Sequence, residues 1–129
     1  MHPVEVVSPA HVRALRALQR WRAAPRESSA DVDAFYVGVS AVLRDYVEER
    51  FGIRAPERTT EEFLRELEFG DGLARRHRPE LERFLSQCDL VKFAAFVPAT
   101  EEHERALALA EAFVEATRSD RVADMEASA

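Results

Sequence analysis

The chain has 129 residues, 47% of them hydrophobic and 33% charged, with a formal net charge of −6 and one cysteine. That length and apolar share suit one domain with one core, and the lone Cys88 excludes an internal disulfide. Arginines interleaved with a surplus of acids exclude the basic stripe a general nucleic-acid binder needs, and no stretch approaches the roughly 20 apolar residues of a membrane span.

"MHPVEVVSPA" has neither the basic nor the apolar region of a signal peptide, so a cytoplasmic location without membrane contact by this chain is expected. Residues 1–7 read as an extended lead-in, residues 8–118 as a single helical domain, and residues 119–129 as a small, polar, disordered tail. The first helix opens at Ser8 as cap and Pro9 as first helical residue, with Val12, Leu15, Leu18 and Trp21 as its apolar stripe. The second is predicted from Ser29, its N-cap, to Gly52, its C-terminal cap. Phe35, Tyr36, Val39, Val42, Leu43, Tyr46 and Val47 follow a three-four spacing that predicts a wide buried face. Thr59 with Glu62 forms a capping box before a short helix carrying Phe63, Leu64 and Leu67. Gly70–Asp71–Gly72 marks a turn. A fourth helix then starts near Pro79, with Leu81, Phe84, Leu85 and Cys88 on one face. Pro98 interrupts, and a last helix from Thr100 presents Ala106, Leu107, Ala110, Phe113 and Val114. No strand pattern competes, so the expected fold is all-α, an irregular bundle of about five helices, one of them short.

Catalytic, cofactor and metal signatures are missing from this pattern. His2, His11, His77 and His103 share no metal-ligand spacing with one another or with Cys88, and "EEHE" at 101–104 has no second histidine. His103 reads as a helix-surface or core-edge residue. The acid pairs Glu61–Glu62 and Glu101–Glu102 stand where a helix dipole favours them. Cys88, Tyr36 and Tyr46 read as core residues.

Lys92 is the outlier, the only lysine in the chain, set in the apolar run "CDLVKFAAF". On a wheel of about 100° per residue it falls among Leu81, Leu85, Cys88 and Ala95, with Phe93 facing away from that stripe. A lysine there is expected to bury its stem and to place its ammonium against Asp89 or an acid of the second helix, Asp45, Glu48 or Glu49. Alternatives are a stem that snorkels to water and a lysine that binds a ligand. Asp89, Lys92, Phe93, Glu48 and Glu49 are therefore the candidate structural or interaction residues.

Two stretches carry a resemblance, "FYVGVSAVLRDYVEERFGIRAPERTTEEFLREL" and "LERFLSQCDLVKFAAFVPATEEHERALALAEAFV". With Tyr46, Arg50, Phe51 and Gly52, then Thr59 to Glu62, then Cys88, Asp89, Leu90, Lys92 and Phe93, the chain resembles the cytosolic helical domain of BatD-like bacterial membrane proteins. Those proteins are encoded beside MoxR-type AAA+ ATPases and von Willebrand factor A proteins. The resemblance spans roughly residues 12–115 and implies a non-enzymatic adaptor without cofactor, whose partner is such an ATPase or von Willebrand protein. It also implies a preceding membrane span and so the cytoplasmic face of the inner membrane. The sequence in hand contains no span, so either it starts beyond that span or it is a soluble variant. A small-molecule sensor or enzyme with a pocket around Lys92 is the alternative expectation.

Overall fold

The structure, a computed structural model, describes residues 9–53, 58–69, 72–94 and 97–119. The expectations for residues 1–7, Ser8, Pro56, Gly70 with Asp71, Ala95 and the tail beyond Ser119 lie outside them. Among the described residues the elements are all helical: α1 Ala10–Ala23, α2 Ser29–Phe51, α3 Thr60–Glu68, α4 Gly72–Arg76, α5 Arg78–Ala94 and α6 Thr100–Thr117. Five of them are the helices expected from periodicity. The sixth, α4, is a single turn of five residues that begins at the glycine expected to close a turn.

Cap chemistry sets the starts. Ser28, one residue before the expected cap, closes a capping box on α2. Its hydroxyl accepts from the Asp31 amide at 3.1 Å, and the Asp31 carboxylate accepts from the Ser28 amide at 3.2 Å. Only from Ser28 does an acid stand at the third helical position, which decides between the two serines. Thr59 and Glu62 form the same reciprocal pair at α3, as expected. Pro9 stands one place earlier than expected, in the N-cap position, and its carbonyl accepts from Val12 and Arg13. At the far end of α2, Gly52 takes φ 74° and its amide donates to the Glu48 carbonyl at 2.9 Å, a left-handed cap that a side chain would strain.

The four long helices surround one core: α1 packs on α2 and α6, and α5 packs on the same two from the opposite side. α3 lies outside this set against α5. α2 buries Phe35, Tyr36, Val39, Leu43, Tyr46 and Val47 between its neighbours. Val42, expected in that face, is only half-buried, because it turns toward a shallow hollow beside Ala14 and Ala17 of α1. The α1 stripe is rotated as well. His11, Ala14 and Leu18 are buried, while Val12, Leu15 and Trp21 are only partly so. Small Ala14 lets α1 approach, and the Trp21 ring occupies the space where a side chain on Gly38 of α2 would stand. α6 supplies Ala106, Leu107, Ala110, Phe113 and Val114, as its spacing predicts.

His103 departs from expectation. It is buried in the first turn of α6, its ring 5.6 Å from that of Phe35 and 5.7 Å from that of Tyr36. At the other end of α6 the fold is tied by polar groups. The Tyr46 hydroxyl meets Thr117 Oγ1 at 2.8 Å, and Arg50 Nε donates to the Thr117 carbonyl at 2.7 Å.

Candidate functional site

A cleft of about 520 Å³ lies between α2, α5 and the start of α3. From α2 come Tyr36, Val37, Ser40, Ala41 and Arg44, spaced to share one helix face. Cys88, Asp89, Lys92 and Phe93 of α5 repeat that spacing opposite them, and residues 58–61 close one end. Tyr36 and Cys88 are buried and form the floor. Val37 and Phe93 are exposed large apolar residues on its walls.

Arg44 organises the closed end. Its Nη1 donates to the Arg58 carbonyl at 2.9 Å, its Nη2 to Thr60 Oγ1 at 2.6 Å and its Nε to Ser40 Oγ at 3.3 Å. The same guanidinium lies 5.7 Å from the centre of the Phe63 ring. One side chain thus fastens the start of α3 to α2. Burial lowers its pKa from the ordinary arginine value, and the charge of Asp89 opposes that shift. The guanidinium remains charged at any physiological pH.

Three of the five candidate residues, Asp89, Lys92 and Phe93, come together in this cleft, and two do not. Glu49 pairs with Arg13 of α1 on another side of the molecule, and Glu48 is exposed on α2. Lys92 itself is exposed, which corrects the expectation of a buried stem and an ion pair. Among the described residues it has no carboxylate partner; its Nζ stands 5.0 Å from the centre of the Phe93 ring. The physical reason is where α3 starts. α3 runs antiparallel to α5: Arg78 at the start of α5 donates to the Leu64 carbonyl and pairs with Glu68, whereas Thr60 and Glu61 stand beside the last turns of α5. The flank of α5 that bears Leu85 is buried, whereas Lys92 meets only the first residues of α3, across an open cleft. Val91 takes the buried position in that turn. A cation in the last turn of α5 also suits the helix dipole.

The floor is chemically quiet near neutral pH. Burial, with the Asp89 charge adding to it, pushes the Cys88 thiol up to about 12. Burial also pushes the Tyr36 hydroxyl up to about 12, against a weak hydrogen bond from Gln87 Nε2 at 3.4 Å. Neither is poised as a nucleophile or proton carrier. Among the described residues no three His, Cys, Asp or Glu side chains gather as a metal would need, and no helix is long and apolar enough to cross a membrane. On the other flank of α5 a broader, more open hollow is lined by Leu90, Gln87 and Leu109.

The wheel of α5 set Lys92 beside Cys88 but turned Phe93 away from that stripe, and it gave neither the exposure of Lys92 nor Arg44. The signal available for Arg44 was an arginine inside the apolar periodicity of α2, facing the side from which the Thr59 cap returns. Compared with protein families, curated proteins and solved structures, the chain matches none.

Proposed function

We propose that this chain is a protein-interaction domain, a non-enzymatic adaptor that docks a partner on the face formed by the end of α5 and the neighbouring cleft. The observation that carries it is exposed apolar surface concentrated there. Phe93 is 74% exposed and Val37 of α2, on the facing wall, 43%, with Leu90 50% exposed on the other flank of α5. Leu90 and Phe93 lie three residues apart on adjoining sides of α5, Phe93 toward the cleft and Leu90 toward the hollow beside Gln87 and Leu109. Scattered apolar residues on a surface are ordinary, but a cluster on adjoining elements marks a contact face. Phe69, at the end of α3, and Val97, between α5 and α6, are the other large apolar side chains so exposed among the described residues.

The resemblance supplies the partner in this proposal: a MoxR-type AAA+ ATPase or a von Willebrand factor A protein encoded nearby, met at the cytoplasmic face of the inner membrane. Titration calorimetry at low salt, with each purified candidate, tests it. Binding in the micromolar range is expected, and Phe93→Asp should abolish it while leaving the thermal melt unchanged, since Phe93 contributes little to the core. Equal binding by Phe93→Asp would move the interface elsewhere, and no binding by either candidate would remove the partner assignment.

A second reading has one observation in its favour: the cleft volume lies within the range of small-molecule sites. A metabolite that raises the melting temperature of the isolated chain, and that Lys92→Met no longer retains, would favour a sensor.

A further inference from the structure

We infer that the cleft between α2 and α5 receives a linear segment of a partner protein in which an apolar side chain is flanked by a carboxylate, the side chain lying between Val37 and Phe93 and the carboxylate meeting Lys92. The inference rests on the interaction-domain reading and adds the chemistry of the partner.

Charge bookkeeping around the cleft selects the acid. Arg44 is committed to the Arg58 carbonyl, Thr60 and Ser40. Arg58 pairs with Glu62 and Glu66, and Glu61 with Arg65. Lys92 is left with no carboxylate partner among the described residues, on a chain whose net charge is −6. An incoming acid therefore finds a cation whose pairing displaces no existing ion pair. Asp89 also lines the cleft without an ion pair among the described residues, but the lining sets three cations, Arg44, Arg58 and Lys92, against two acids, Asp89 and Glu61, so the cleft as a whole favours an acidic segment.

Geometry selects the apolar neighbour. Lys92 Nζ already lies 5.0 Å from the Phe93 ring centre, so cation and ring form one composite surface. Val37 provides the opposite wall, and the floor of Tyr36 and Cys88 is buried and offers no unpaired ion. An apolar group entering there is desolvated against apolar walls, while a carboxylate one or a few residues away stays at the wetter rim beside Lys92. A pair at such a rim contributes modestly to affinity and mainly sets which partner is accepted.

Panning a displayed library of random peptides on the whole chain and on Lys92→Glu tests the inference, with peptide affinities then measured at low and high salt. Peptides enriched on the parent should share an apolar residue with a nearby Asp or Glu. Lys92→Glu should bind them about tenfold more weakly and should instead enrich peptides carrying Lys or Arg at the acid position. Binding to the parent should weaken as salt rises. Lys92 is exposed, so Lys92→Glu should keep the parent melt. If enriched peptides require Phe93, as judged by Phe93→Ser, but bind Lys92→Glu as well as the parent, the acidic partner is wrong and the interaction face stands. If no peptide is enriched, or if neither variant affects those that are, both the inference and the face fall. Sedimentation showing a dimer broken by Phe93→Ser would replace the peptide by a second copy of this chain.

Discussion

His103 sets the first prediction at the scale of single residues. Both ring nitrogens are buried without a hydrogen-bond partner among the described residues, between Phe35 and Tyr36. Burial holds its pKa below the ordinary histidine value, and the charge of Arg26 acts in the same sense. The unfolded chain therefore binds a proton that the folded chain refuses. Stability is unaffected by this group well above pH 6.5, the ordinary histidine value, and falls as pH drops through and below it. Urea titrations at pH 7 and pH 5.5 should show that loss, and His103→Phe should reduce it. Glu62 cannot imitate the effect. Hydrogen bonds with Thr59 lower its pKa, so its contribution is lost only at more acid pH, below the ordinary carboxylate value of 4.5. Gly38 gives a second residue-scale test. Alanine would improve helix propensity by roughly 1 kcal/mol, but its Cβ would overlap the rigid Trp21 ring. Overpacking of this kind costs about 1–3 kcal/mol, so Gly38→Ala should lower stability in thermal melts, and Trp21→Leu should relieve it. His103 and Gly38 were hard to read for one reason. Each is explained by a ring from another helix, which a one-dimensional pattern does not contain.

At the scale of elements, α3 depends on two devices. The capping box of Thr59 and Glu62 starts it, and it was legible because both halves lie within four residues. Arg44 then fastens that start to α2, which the sequence conceals because the bonded groups are 14 and 16 residues apart. Arg44→Met keeps most of the stem but removes charged hydrogen bonds, so it should cost about 1–2 kcal/mol. Hydrogen exchange should locate the loss: amides of α3 should exchange faster while those of α1 and α6 keep their protection. Uniform loss of protection would mean that α3 is integral to the core instead of fastened to it. The lysine of α5 teaches the complementary lesson. Its angle on the wheel lies beside Leu85 and Cys88, yet an angle predicts burial only if a neighbour extends that far, and Lys92 is exposed. α3 starts at Thr60 and leaves the last turns of α5 open. α4, a five-residue helix beginning at a glycine, has too little length to show a periodic stripe.

For the whole molecule, the all-α class followed from long, regular stripes in α2, α5 and α6, each broad enough to survive small errors of phase. The Tyr46–Thr117–Arg50 connections tie the ends of α2 and α6, and α1 closes the core opposite α5. These contacts leave Leu90 and Phe93 at the end of α5 exposed, beside Val37 across the cleft, and the proposed docking face rests on that exposure. Hydrogen–deuterium exchange on the whole chain, with and without a partner protein shown by calorimetry to bind it, tests this most directly. Added protection is predicted over residues 37–44 of α2, 58–61 at the start of α3 and 88–93 of α5, with α1 unchanged. Protection confined to α1 and α6, with the end of α5 exchanging as in the free chain, would contradict it.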